Sequence, residues 1–181
     1  MSFRFSHIKG INITLFALHS MGKVAEPSRL FLLFYLADLK HLANYGTLIT
    51  GDRYVAMKYG PAPSQILAIC QQIKSDTEAN ENKFKKMSPL AINEQHQIVA
   101  RDTYNIKYLQ ATEVECIFEI LHLYKNASQE MLSHITMGKA WANADINGEI
   151  SIAEMAMESS ATPAMLARIE RNCTEEMLAF K

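Results

Sequence analysis

The chain lacks the residues and patterns on which most chemistry and most membrane or nucleic-acid binding depend. It has only three cysteines in 181 residues, Cys70, Cys116 and Cys173. No two of them stand at metal-ligand or redox-motif spacing, so they read as free thiols of a reducing compartment and as small buried hydrophobes. Neither sign of charge dominates: 18 basic and 19 acidic residues give a formal charge of -1. That balance supplies no bulk attraction to phosphate backbones or anionic membranes. The longest apolar run, Leu30 to Ala37, falls far short of the roughly 18 residues of a membrane span. The apolar stretch Ile11 to Leu18 contains Asn12 and Thr14 and no small-residue cleavage pattern follows it, so a secretory signal is not expected. A Gly-rich phosphate loop, an HExxH zinc pair, a GxSxG elbow and a CxxC pair are all missing. The six histidines form no ligand set with one another, so no metal, cofactor or catalytic centre is expected.

What the chain does have is helical patterning and a hydrophobic fraction of 49%. A chain of this length buries roughly 70% of its unfolded surface without disulfide or metal staples. Ile8, Ile11, Leu15 and Leu18 mark one face of a helix from Ser6 to Met21, which Gly22 stops. Pro27 suits the first turn of a second helix, and Gly46 sits where its C-terminal cap belongs. Leu30 to Ala37 is apolar on every face, which places this helix at the centre of the fold. Gly51-Asp52 is turn chemistry, and Tyr54 to Tyr59 reads as a short strand that Gly60-Pro61 ends. A third helix is predicted from Pro63 or Ser64 to Lys74, followed by a polar loop over residues 75–82 and the basic knot Lys83, Lys85 and Lys86. Leu90 to Ile92 and Gln97 to Arg101 flank a turn and predict a β-hairpin.

The C-terminal half is predicted to be helical throughout. Thr112-Glu-Val-Glu115 has the form of a capping box, with the stripe Val114, Ile117, Phe118, Leu121 and Tyr124 behind it. Ser128 caps a helix carrying Met131, Leu132 and Ile135, and Gly138 breaks it before Trp141. Ser151-Ile-Ala-Glu154 is a second capping box. Thr162-Pro163 opens a last helix with the stripe Leu166, Ile169, Cys173, Met177 and Phe180. The fold class is therefore mainly α (α+β), a helical domain with a central apolar helix and one or two short β-hairpins.

The residues raise three functional readings. Asp38 and His41 stand one helical turn apart, a spacing that can orient an imidazole for general base work; a hydrogen bond on the helix surface is the simpler account. Two helices between Pro27 and Lys74 raise a DNA-binding regulator as the alternative, but more than a dozen residues separate them where that motif uses a tight turn. The second of them offers Gln65, Gln71 and Gln72 with a single cation, so nucleic acid is not the expected partner. Met131, Met137, Met155, Met157, Met165 and Met177 crowd the last third and suit either a core or an adaptable binding surface. Protein binding is the third reading.

Leu33-Phe-Tyr-Leu-Ala-Asp38, Ile49-Thr-Gly-Asp-Arg-Tyr-Val-Ala56 and Lys58-Tyr-Gly-Pro61, completed by Ala62-Pro63, resemble the signature of the SocA-like Panacea antitoxin family. Leu132-Ser133, Thr136 and Ala140-Trp141 resemble its C-terminal element, with Met137 where the family carries a histidine. The resemblance spans about Ile8 to Ser159. It implies a Panacea-like domain over residues 1–160, with residues 161–181 a C-terminal helix packed on it. It also implies a cytoplasmic bacterial or phage-associated protein, not an enzyme. The implied role is an antitoxin that neutralises a cognate toxin by direct protein–protein binding, or that delivers it to a protease system as one family member does. The partner-binding candidates are Tyr54, Tyr59, Gly60, Pro61, His134 and Trp141. A purely structural role for Tyr54, Tyr59, Gly60 and Pro61 in shaping the turn is the competing account.

Overall fold

The structure is a computed structural model and describes residues 4–78 and 88–178. Lys83, Lys85 and Lys86, residues 79–82 of the loop expected over 75–82, and Phe180 lie outside the described residues.

The mainly α fold is built around one helix. α1 (His7–Ser20) starts where the Ser6 hydroxyl accepts from the Lys9 N–H, and it ends before Gly22, whose φ is 86°. α2 (Pro27–Tyr45) runs from its proline to Gly46 at φ 72°, whose N–H bonds the Leu42 carbonyl. Its residues from Leu30 to Ala37 are buried around the full circumference apart from half-buried Leu36. Each fully buried Leu or Phe there contributes about 1.5–3 kcal/mol. α2 packs on α4 (Ala111–Leu123), α5 (Gln129–Thr136), α7 (Ile152–Glu158) and α8 (Pro163–Leu178). The central position predicted from its all-round apolarity is what the structure shows. The Arg29 guanidinium, in the first turn of α2, donates to the Tyr124, Lys125 and Ala127 carbonyls just past the end of α4. A cation there suits the negative end of that helix dipole.

Two small antiparallel sheets flank the helices. One has the order β1-β5-β4, from Val24–Ala25, Ile98–Ala100 and Leu90–Ile92; β4 and β5 form the hairpin expected over that stretch. The other has the order β3-β2-β6, from Gly60–Pro63, Tyr54–Met57 and Glu149–Ile150. The hydrophobic interior falls into two clusters. One gathers side chains of α1, α2, α3 (Ser64–Glu78), the β1-β5-β4 sheet and α4. The second joins Tyr35, Leu42, Tyr54, Ala140, Ile150 and Met155 to Ile169 of α8, with Met165, Leu166 and Cys173 packed against it.

Several expectations are corrected. Gly60-Pro61 does not end the extended segment but begins its return strand, with Gly60 opposite Met57 and Pro63 opposite Tyr54. β3 is an edge strand, where prolines cost no ladder bond. α3 runs on to Glu78 rather than stopping at Lys74, so no loop begins at Ser75. The capping box lies two residues earlier than predicted. Gln110 is the N-cap and Glu113 the reciprocal partner, drawn inward by an ion pair with Lys9 at 2.6 Å. On the predicted stripes, Phe118 is 57% and Ile8 is 53% exposed, while Cys116, Ile120, Ile13 and Ala17 are buried in their stead. α1 is enclosed between α4, α3 and the first sheet, so its buried arc is wider than a single stripe. The Ser151 half of the second capping box is present, its hydroxyl accepting from the Glu154 N–H.

Cys70 and Cys116 are buried free thiols, and Cys173 is half-buried. Burial pushes the Cys70 thiol up to about 12, so it stays protonated and unreactive at neutral pH. Iodoacetamide is expected to label the native protein at Cys173 first, with Cys70 and Cys116 reacting only after unfolding. Peptide mass mapping checks this, and rapid native labelling of Cys70 would contradict the packing described.

Candidate functional site

Between α2 and α3 the chain must turn twice within a few residues and enter a hairpin, and two buried carboxylates organise that passage. Asp38 is 0% exposed. Its Oδ1 accepts from the Ile49 N–H at 2.5 Å and the Thr50 N–H at 3.1 Å. Its Oδ2 accepts from the Thr50 hydroxyl at 2.5 Å and the Tyr54 hydroxyl at 2.8 Å. Burial pushes the Asp38 carboxyl up from its ordinary value, and these four hydrogen bonds oppose that shift. Burial, then the neighbouring Asp38, raises the Tyr54 phenol, which stays neutral and donates. The Thr50 oxygen also accepts from the Asp52 N–H at 3.1 Å.

Asp52 continues the relay into the next helix. Its carboxylate accepts from the Gln65 and Ile66 N–H groups at 3.0 Å and from the Ser64 hydroxyl at 3.1 Å. Those N–H groups are the unpaired donors of the first turn of α3, so a side chain twelve or more positions upstream caps it. Burial raises the Asp52 carboxyl and the same bonds pull it back. Between the two acids, Gly51 has φ 61°, and a Cβ there would come within 2.5 Å of the Arg4 carbonyl oxygen. Only glycine fits both the conformation and the contact.

Asp38 and His41 do not form the pair their spacing suggested. Both are buried, and they serve different segments. The His41 Nδ1 lies 2.7 Å from the Thr47 carbonyl and its Nε2 lies 3.3 Å from the Thr112 hydroxyl. The helix-surface hydrogen bond is corrected likewise, because α2 has no solvent face at these positions. Among the described residues no group of three or more His, Cys, Asp or Glu side chains could hold a metal ion. Among them, too, no helix is long and apolar enough to cross a membrane.

Beyond this framework the β2-β3 hairpin projects its turn, Lys58-Tyr59. The turn is held from beneath by the two helices that follow α4. The Ser133 hydroxyl on α5 donates to the Tyr59 carbonyl at 2.8 Å. The indole N–H of Trp141, on α6 (Lys139–Ala142), donates to the Met57 carbonyl at 3.0 Å. Gly60, at φ 122°, lies so close that a Cβ would meet Leu32 Cδ2 at 2.6 Å and Thr136 Oγ1 at 3.1 Å. The outer side of the turn is open. Tyr59 is 66% exposed with the Lys58 ammonium 5.2 Å from its ring centroid, and Met57 is 36% exposed. Ile146, 58% exposed, precedes the Asn147 whose N–H bonds the Ala56 carbonyl on the other flank. Met131 and His134, three positions apart, share an exposed face of α5.

The structure thus brings Tyr59, Gly60, Pro61 and Trp141 together, with His134 on the supporting helix. Tyr54 is separated from them: at 0% exposure its hydroxyl is spent on Asp38, so it shapes the site from inside. Gly60 and Pro61 are buried as well and Trp141 is half-buried, which leaves Tyr59 and His134 as the candidates with an open face. Met57, Ser133 and Asp52 were missed as site residues. Ser133 and Thr136 had one available signal, since they stand three apart on a helix and so face the same neighbour.

Truncating Asp38 strands four buried or half-buried donors, each worth about 1–3 kcal/mol when unpaired. Asp38→Ala is expected to cost at least about 3 kcal/mol, and Tyr54→Phe about 1–2 kcal/mol. Combining Tyr54→Phe with Thr50→Val should give less than the sum of their separate costs. Urea denaturation of the variants checks this; a near-neutral Asp38→Ala would contradict the role assigned to the carboxylate.

The antitoxin SocA-like Panacea domain model matches residues 30–142, a narrower span than the resemblance over Ile8 to Ser159, and still more than half of the chain. Curated proteins and solved structures yield no match. The matched span runs from the central helix through the acid-pinned turn and the hairpin to Trp141, and the chain belongs to the antitoxin SocA-like, Panacea-domain family.

Proposed function

We propose that the chain is a cytoplasmic antitoxin that neutralises a cognate toxin by direct contact, and that the β2-β3 turn with its flanking helices is the contact surface. The observation that supports this most is the contrast between the two sides of the turn. Beneath it, Ser133 and Trp141 hold backbone carbonyls and Gly60 is packed against Leu32 and Thr136. Above it, Tyr59 and Met57 stand open, with Met131, His134 and Ile146 on the elements around them. A surface held in place before binding loses little entropy on association, and tyrosine concentrates binding energy in such positions. Exposed methionines adapt to the partner's shape. Neither sequestering a toxin nor delivering it to a protease requires catalysis, and both begin with this contact.

The test is co-expression with the product of the neighbouring gene. A complex should co-purify, and that product alone should harm cells. Tyr59→Ala is expected to weaken the complex at least about tenfold, or about 1.4 kcal/mol, while leaving thermal stability unchanged. Leu123→Ala, at a position 69% exposed on α4, should have no effect. The same half-life for the bound partner with and without the host proteases indicates sequestration, and a shortened one delivery. A complex indifferent to Tyr59→Ala would overturn the surface, and a harmless, non-binding neighbour would overturn the function.

A further inference from the structure

The helix that carries Trp141 is too weak to hold itself. α6 is a single turn of four residues, far below the length at which a helix is stable alone. Its N-cap is Gly138, which has no side chain to satisfy the free N–H groups. That task falls to Glu158, 18 positions beyond the Ala140 N–H it accepts from and outside the span matched by the family model. The Glu158 carboxylate, at the end of α7, accepts from the Ala140 N–H through Oε2 at 2.7 Å. Its Oε1 faces the buried Tyr35 hydroxyl on α2 at 3.5 Å. The glycine is the counterpart of this bond. A Cβ on Gly138 would lie 2.5–2.7 Å from the Glu158 carboxylate atoms, although its backbone, at φ -80°, is open to any residue.

We propose that Glu158 is a positioning residue for the hairpin turn. It acts as a latch that fixes α6 against α2, so that the Trp141 indole meets the Met57 carbonyl and the turn is presented rigidly. The chain of contacts runs from the Glu158 carboxylate to the Ala140 N–H, through one helical turn to Trp141, and from its indole N–H to the turn itself. The link from Trp141 geometry to partner affinity rests on the turn being the binding surface; the latch does not.

Trp141 is the only tryptophan in the chain, so emission excited at the red edge, where the indole absorbs and the seven tyrosines do not, reports on this site alone. Glu158→Ala should move its emission to longer wavelength and make it more accessible to acrylamide, with far-UV circular dichroism unchanged. Gly138→Ala, which displaces the carboxylate without removing it, should do the same. The two changes combined should shift the emission no further than either alone. Glu158→Gln retains an acceptor oxygen for the Ala140 N–H and should restore emission close to that of the unaltered chain. In capture assays with the neighbouring-gene product, Glu158→Ala should lose affinity and Glu158→Gln should recover it. Unchanged emission and quenching in Glu158→Ala, or additive shifts in the double variant, would overturn the latch. A shifted emission with undiminished capture would establish the latch and overturn the turn as the binding surface.

Discussion

The structure depends first on a carboxylate that has been taken out of water. Asp38 sits on the helix at the centre of the fold, where an isolated charge would be prohibitively costly. It is tolerable only because the chain folds back and surrounds it with donors from Ile49, Thr50 and Tyr54. This requirement dictates the path of the next fifteen residues. The loop must pass over Asp38, Gly51 must turn beneath the backbone at Arg4, and Asp52 must arrive at the N-terminus of α3. Among the described residues no buried side-chain nitrogen or oxygen lacks a partner, so the network is complete as well as buried. A fully satisfied polar network of this kind specifies one conformation, and each member becomes costly to replace.

A rigid interior is what allows a small exposed turn to matter. Several polar side chains of the signature are turned inward: Asp38, Thr50, Asp52 and Tyr54 hold the approach, and Ser133 and Trp141 hold the turn itself, while Arg53 and Lys58 stay exposed. What remains outside is backbone fixed in place with Tyr59 at its apex. The buried acids Asp38 and Asp52 meet hydroxyl and amide donors.

Much of this architecture was legible in the residues, and the failures have physical causes. Pro27 and Gly46 marked the ends of α2 because proline and left-handed glycine act locally. The β4-β5 hairpin was visible because both strands and their turn lie within a dozen residues. β1 and β6, of two residues each, form only because a distant strand offers a ladder, and no local pattern encodes that. β3 was hidden by its prolines, which argue against a strand until one sees that its other edge is unpaired. The spacing of Asp38 and His41 was read correctly as one helical turn, yet in a helix buried on all sides neighbours on one face can serve different loops. The capping box was misplaced because two overlapping candidates exist, and a remote lysine, Lys9, decides between Glu113 and Glu115. Of the candidate contacts, Tyr54 was indistinguishable from Tyr59 by composition. What separates them is that the hydroxyl of the former lies within reach of Asp38.

The central claim is that an internally pinned turn is the surface on which a partner protein lands. Backbone hydrogen exchange of the chain, alone and saturated with the neighbouring-gene product, measures it most directly. The account predicts new protection concentrated at residues 57–60 and 131–141, with the acid-pinned segment 49–54 already slow before binding. Protection confined to another surface, such as the exposed apolar residues of Ile106–Phe118, would contradict it.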